Sequence, residues 1–240
     1  MSMAFDPCAV IPVYNHSDRL EVIVAALRNH GLSCFLVDDG SRPPHCRVID
    51  ALAKRPGVIR LRHFRNRGKG AAVKTGLRAA AAAGFSHVLQ IDADGQHEIT
   101  DVPAFLAAAR SEPRAVVCGR PRFDGSMPRS RYYGRWLTHV WVWINTGSLA
   151  IPDSMCGFRV YPLAAVMPLL DSVRGERMDF DIEILVRLYW AGVPMVWLPT
   201  RVCYRADGVS HFRSWEDNWR ISRMHARLFL CRLLRLGGWR

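Results

Sequence analysis

The sequence predicts a doubly wound α/β fold with a mostly parallel sheet flanked by helices. Short apolar runs alternate with stretches of helical periodicity through the first half of the chain. These runs are hydrophobic throughout rather than every second residue, as in strands covered on both faces. Polar clusters directly follow four of them, and in an open parallel sheet that is where ligands bind.

Taken in order, Cys8–Val13 is expected as the first strand and Asp18–Asn29 as a helix opened by a Ser17 cap. Cys34–Val37 and His45–Lys54 form the next strand–helix pair, followed by Val58–Phe64 and Lys69–Ala83, the latter closed by Gly84. His87–Ile91 and Ala115–Cys118 are strands with a helix, Val102–Arg110, between them. Beyond Gly119 the pattern weakens. A polar loop spans Pro121–Arg131 ahead of a further helix, and Pro152–Tyr161 is a loop leading into a strand. Asp181–Ala191 is expected as a helix, Met195–Leu198 as a strand and Ser214–Leu236 as a long basic helix. Residues 1–213 therefore read as one domain, and 214–240 as a basic helical extension.

Bulk properties narrow the class. Half of the 240 residues are hydrophobic and 22% are charged, a folded composition. Of the 33 basic residues only Lys54, Lys69 and Lys74 are lysines, and the net charge is +12, which favours anionic partners. The seven cysteines are dispersed with no CxxC pair, as expected of reduced, mostly buried thiols in a cytoplasmic protein. No basic-then-apolar leader precedes Pro7. The most apolar long stretch, Tyr132–Ile151, is broken by Arg135 and His139, so it is a poor membrane span.

The strand-end clusters carry the chemistry. Asp92-Ala93-Asp94 sets two carboxylates two residues apart, which repel unless protonated or bridged by a cation. Hard oxygen ligands suit Mg²⁺ or Mn²⁺, and Gln96 adds a neutral oxygen. Such a cation would neutralise charge developing on a diphosphate leaving group. The bland reading is a solvated Asp/Gly turn. Asp38-Asp39-Gly40-Ser41 carries the same ambiguity: a carboxylate placed to accept from a base N–H or a ribose hydroxyl, a turning glycine, and a serine expected to cap the next helix. Asn66-Arg67-Gly68-Lys69-Gly70 suits an anion at a helix N-terminus but lacks the Walker spacing. No GxGxxG follows the first strand, which argues against a dinucleotide dehydrogenase.

Six blocks in order resemble family 2 glycosyltransferases of the GT-A fold, in the branch of dolichyl- and polyprenyl-phosphate sugar synthases. They are Pro12-Val13-Tyr14-Asn15, Val37-Asp38-Asp39-Gly40-Ser41, Asn66-Arg67-Gly68-Lys69-Gly70, Asp92-Ala93-Asp94-Gly95-Gln96-His97, Cys156-Gly157-Phe158-Arg159 and Asp179-Phe180-Asp181-Ile182-Glu183. The resemblance covers residues 8 to 212 and implies the nucleotide-diphospho-sugar transferase fold. It implies that Pro12, Tyr14, Asn15 and Asp39 form the nucleotide pocket, with Lys69 near the donor. Asp92 would bind ribose and share a divalent metal with Asp94 and Gln96. Arg159, Asp181 and Glu183 would line the sugar and acceptor side. The implied reaction is transfer with inversion, by direct displacement at the anomeric carbon.

One block departs from that pattern. The polyprenyl-phosphate enzymes carry an Arg, then Gly-x-Ser-Lys, whose basic groups grip the acceptor phosphate. Here Arg205, Gly208 and Ser210 are kept, but His211 stands where lysine is expected. Arg205, Ser210 and His211 are thus the expected acceptor contacts, with Arg205 also counted in the catalytic set. A neutral hydroxyl on a lipid, acyl chain or glycan is the alternative acceptor, and Asp181 is then the candidate general base.

From Arg220 onward come six arginines and no acid, with leucines at helical spacing. This suits a helix lying on a membrane surface, or equally a core-packed terminal helix with solvated arginines. The expected location is the cytoplasm, peripheral on the membrane's inner face. A nucleic-acid partner is not expected, because carboxylates clustered at the strand ends would repel phosphate. A catalytically silent nucleotide-sugar-binding protein is the non-enzymatic alternative.

Overall fold

The computed structural model describes residues 4–123, 129–202 and 214–236. The strands are β1 (Pro7–Val13), β2 (Ser33–Asp38), β3 (Val58–Arg62), β4 (His87–Gln90), β5 (Val116–Phe123), β6 (Arg159–Pro162) and β7 (Met195–Val202). The helices are α1 (Leu20–Asn29), α2 (His45–Leu52), α3 (Lys69–Ala82), α4 (Val102–Ser111), α5 (Arg129–Thr146), α6 (Leu163–Leu170), α7 (Asp179–Trp190) and α8 (Ser214–Leu236).

All seven strands form one sheet in the order β3-β2-β1-β4-β6-β5-β7. β3, β2, β1 and β4 run parallel, β6 runs antiparallel to both neighbours, and β5 pairs in parallel with β7. The sheet is therefore mostly parallel, with one reversed strand that the linear pattern had not distinguished.

Side-chain alternation sends neighbouring strand residues to opposite faces. Val10, Phe35 and Val37 pack with Leu77 of α3 and with Phe180, Ile184 and Leu188 of α7. Ile11 and Leu36 pack instead with Leu20, Ile23 and Leu27 of α1, Ile49 of α2 and Phe105 of α4. The α1 stripe Leu20, Ile23, Val24, Leu27 has the i, i+3, i+4, i+7 spacing of an amphipathic helix. Each such side chain, fully buried, contributes about 1.5–3 kcal/mol.

Several local expectations need correction. Ser17 does not cap α1: its hydroxyl lies 2.9 Å from His45 Nδ1, and Arg19 occupies the N-cap without a side-chain bond. Ser41 does not cap α2, whose N-cap is Pro44; its Oγ instead accepts from the Asn15 amide at 3.0 Å. α6 was not anticipated, being apolar nearly all round and carrying Pro168. On α5, Tyr132, Tyr133, Trp136 and Leu137 are exposed rather than packed in the core. Of the six described cysteines five are buried, as their apolar segments imply. α8 buries Ile221, Met224, His225 and Leu228 against the rest of the molecule.

Candidate active site

Two loops at the carboxyl ends of β1 and β2 are stitched together. The Asp39 amide donates to Val13 O, the Asn15 amide to Ser41 Oγ and the Arg42 amide to Asn15 Oδ1. Ser41 N in turn donates to Asp38 Oδ1 at 2.7 Å. Gly40, at φ 80°, passes so close to the third loop that a Cβ would lie 2.8 Å from Arg65 C and Asn66 N. Only glycine tolerates both the left-handed backbone and this approach.

Asp39 joins the third loop to the other two. It is 2% exposed, and its carboxylate accepts from Arg67 N at 2.9 Å, Gly68 N at 2.7 Å and His63 Nδ1 at 2.6 Å. His63 is oriented from its other side by Thr75 at 2.9 Å. The carboxylate expected to greet a nucleotide therefore also builds the segment that would surround it. Its loss costs the fold as well as the pocket.

A second cluster lies at the end of β4. Lys69, the first residue of α3, reaches Asp92 at 2.8 Å and Asp181 at 2.9 Å. Asp181 also accepts from Gln90 Nε2 at 3.0 Å. Burial alone would lower the Lys69 pKa, but Asp181 and Asp92 outweigh it and hold the ammonium above its usual range. Burial alone would raise the Asp92 pKa, yet Lys69 and His97 keep that carboxyl well below the usual range. Asp94 accepts from Gln96 N at 3.0 Å, but burial and the Asp92 charge outweigh this and push its pKa up.

Asp92, Asp94, Gln96 and His97 line a cavity of about 80 Å³ with Arg135, Cys156 and Gly157. A Cβ on Gly157 would sit 2.6 Å from Lys69 Nζ and 2.8 Å from an Asp92 carboxylate oxygen, so only glycine leaves that carboxylate free to face the cavity. The Gly157 segment is fixed by Asp153, which accepts from Met155 N, Cys156 N and Arg135 Nε at 2.8–2.9 Å. An isolated bridge between His97 and Val202 brings the end of β7 to the same place.

These residues fit a divalent cation. Two carboxylates and an amide surround one small cavity, and the two carboxylates repel, adding to the burial that raises the Asp94 pKa. Among the described residues no group of three or more His, Cys, Asp or Glu could hold a metal. The protein thus offers part of a coordination sphere, and the rest would come from ligand oxygens and water, as Mg²⁺ commonly arranges.

Two expected acceptor-side residues take other positions. Arg159 is fully buried and donates to Tyr161 OH, Asp181 O and Ser154 O at 2.7–3.0 Å, because an internal guanidinium must spend its donors on protein acceptors. Glu183 is also fully buried and accepts from Gly175 N, Arg187 and Arg227, tying α7 to α8. Both shape the wall behind Asp181 rather than face the cavity. Arg205, Ser210 and His211 lie outside the described residues. Sequence reasoning missed Gln90, His63 and the Asp153–Arg135 pair, each a lone polar residue with no motif around it.

Comparison with known proteins agrees with this geometry. The glycosyl transferase family 2 model matches residues 8–165. The UDP-N-acetylglucosamine–dolichyl-phosphate N-acetylglucosaminyltransferase of Methanococcus voltae is 26% identical over 195 residues, covering 74% of this chain and 77% of that one. The undecaprenyl-phosphate mannosyltransferase of Micrococcus luteus is 27% identical over 209 residues, covering 84% and 85%. Among solved structures, glucosyl-3-phosphoglycerate synthase from Mycobacterium tuberculosis in complex with Mn²⁺, uridine-diphosphate and phosphoglyceric acid superimposes with a TM-score of 0.68 at 18% identity, over 95% of this chain and 78% of that one. The fold is of the GT-A type, and the chain belongs to glycosyl transferase family 2.

Proposed function

We propose that the chain is an inverting, divalent-metal-dependent hexosyltransferase that moves a sugar from a UDP- or GDP-linked donor to polyprenyl phosphate at a membrane surface. The observation that carries this reading is the convergence of Asp92, Asp94, Gln96 and Gly157 on one polar cavity, with Lys69 bridging Asp92 to Asp181. The base and ribose of the donor would lie among Pro12, Tyr14, Asn15, Asp39 and the 65–67 loop, with its diphosphate toward Asp94. Bound there with Asp92, Asp94 and Gln96, Mg²⁺ or Mn²⁺ supplies Lewis-acid stabilisation of the departing diphosphate.

The surroundings of Asp181 support the choice of acceptor class. A hydroxyl acceptor needs a base with a free oxygen within reach of its proton. Asp181 is 3% exposed, with one oxygen on Lys69 and the other on Gln90. A phosphate oxyanion needs no deprotonation and attacks the anomeric carbon directly. This favours a phosphorylated lipid over the neutral-hydroxyl alternative, and the two relatives named above carry dolichyl and undecaprenyl phosphate in their names. Arg205 and His211 would meet the head group.

No helix among the described residues is long and apolar enough to cross a membrane, so contact with a lipid acceptor is read as peripheral. The test offers radiolabelled UDP-glucose, UDP-N-acetylglucosamine and GDP-mannose with Mn²⁺, and either undecaprenyl phosphate or undecaprenol. Label should enter the phosphorylated lipid from one donor. Label entering undecaprenol alone would install the hydroxyl reading. Metal-dependent donor binding with no transfer to either would install the silent one.

A further inference from the structure

The molecule has a second concavity, of which the reading above uses only the 65–67 loop. It is an open basin of about 870 Å³ lined by Arg62, His63, Phe64, Arg65, Asn66, Arg67, Glu176, Arg177 and Arg220. None of Pro12, Tyr14, Asp39, Lys69 or Asp92 lines it, and it lies on the other side of the 65–67 loop that it shares with the donor crevice. Five arginines face one another with a single carboxylate among them. Glu176 lies 3.6 Å from Arg67, and Arg62 lies 3.3 Å from Asp38. Among the described residues Arg65 and Arg177 form no ion pair, and Arg220 interacts with the nearby Asp179 only at longer range. Concentrating guanidinium groups in this way costs mutual repulsion, which an anion would relieve.

The rim identifies the kind of anion. Phe64 is 104% exposed, as open as a side chain can be, and it stands between Arg62 and Arg65. Trp219 immediately precedes Arg220 on α8 and is 70% exposed, and Trp215, one turn earlier, is 91% exposed. A soluble phosphate compound has no need of a fully bare aromatic ring on its site, nor of two more on the helix that supplies Arg220. Aromatic rings beside arginines are instead how proteins seat themselves at the lipid–water boundary, rings among the head groups and guanidinium groups on the phosphates.

We propose that this arginine basin is a docking site for the phosphate head groups of an anionic bilayer, with Phe64, Trp215 and Trp219 entering the interface. The basin's walls are the loop that holds Asp39, through the Arg67 and Gly68 amides, and the segment leading into α7 and Asp181. Those walls already touch, since Ala71 N donates to Glu176 O at 2.9 Å. Docking therefore fixes the orientation of the crevice to the bilayer through β3 and the start of α8, rather than through the C-terminal arginines alone. The inference concerns attachment and stands whether or not the chain transfers sugar.

The test is co-sedimentation of the full chain with phosphatidylcholine vesicles, with and without phosphatidylglycerol, in the absence of any donor. Binding should require phosphatidylglycerol and fall at least about tenfold in the double variant Arg65→Glu/Arg177→Glu, since each arginine near the surface contributes a several-fold factor. Phe64→Ser should weaken binding with no change in charge. The control double variant Arg47→Glu/Arg114→Glu removes the same charge from exposed positions on α2 and before β5, and should bind within about twofold of the parent. Thermal midpoints of all variants check that each is folded. Equal losses in the basin and control variants would reduce the effect to net charge and overturn the proposal. So would full binding by the basin variant, or release from vesicles by millimolar glycerol phosphate, which would make the ligand a soluble phosphate.

Discussion

Between β1 and β5 only Val22, Ile59 and Phe64 stand out among exposed large apolar side chains. On α5, the turn after it and α8, the exposed set includes Tyr133, Trp136, Leu137, Leu149, Trp215, Trp219, Leu230, Leu233 and Leu234. The polar groups divide the same way. The first half knits Asp38, Asp39 and Asn15 into three loops by backbone hydrogen bonds, leaving few degrees of freedom at the crevice. In the second half, polar anchors such as Asn145–His225 and Glu183–Arg227 hold α8 on one side while the other side faces outward. One half is a preorganised polar crevice; the other exposes aromatic and leucine side chains, which under the proposed function would meet the lipid. A donor-binding site that excludes competing partners and an acceptor side that admits a lipid would divide in this manner.

The strongest way to break the comparison is at the bridge between the halves. Lys69→Met leaves the half-buried Asp92 and the buried Asp181 near one another without their shared cation. It should cost about 3–5 kcal/mol of stability in denaturant titration and abolish transfer. By contrast Asp94→Ala, which removes a poorly compensated carboxylate, should abolish transfer while leaving the unfolding midpoint nearly unchanged. If Lys69→Met is as stable as the parent, the bridge does not hold the halves together.

Protonation of His225 probes the second half. His225 is 2% exposed, and burial lowers its pKa to about 4 against an ordinary 6.5. The unfolded chain therefore takes up a proton at higher pH than the native one. This group's contribution is whole above about 6.5 and is lost as pH falls toward 4, about 3 kcal/mol in all. His225→Asn should flatten that part of the stability–pH curve; an unchanged slope would assign the loss to other groups.

Asp39→Asn probes the first half. Replacing an acceptor-only carboxylate that serves two amides and His63 should cost about 1.5–3 kcal/mol of stability and weaken nucleotide binding. The sequence alone favoured recognition over packing here. Equal nucleotide affinity in the variant would leave the residue a purely structural staple.

The smallest effect is expected on α5. Trp136→Ser/Leu137→Ser should shift stability by no more than about 0.5 kcal/mol per site, since both side chains are largely in solvent. Transfer to a long-chain acceptor should nonetheless drop more than transfer to a short-chain phosphate. Equal effects on both would remove α5 from the acceptor side.

Legibility in the sequence followed the same boundary. β1 to β4 and their helices could be read because uninterrupted apolar runs such as Ala9–Ile11 and Phe35–Val37 signal strands buried on both faces, and a strand's carboxyl end is a fixed address. The Asp92–Asp94 turn was legible for that reason. The reversal of β6 was not, because a four-residue strand carries no information on its direction. Nor were the inward commitments of Arg159 and Glu183, since an ionisable residue beside a site motif looks the same whether it faces ligand or completes the wall. Lys69 was placed near the donor, but its bridging of two carboxylates more than twenty residues away in each case depends on the packing of α7 over α3.

The proposed activity requires that Asp94 complete a cation site for a nucleoside diphosphate. Calorimetric titration of the full chain with UDP and GDP, with Mn²⁺ and then with a chelator, tests it most directly. Linkage requires one nucleotide to bind with Mn²⁺ and lose most of that affinity on chelation. Asp94→Ala should bind as weakly in Mn²⁺ as the parent does without it. Affinity that is indifferent to Mn²⁺, or a metal response that survives Asp94→Ala, would contradict the account.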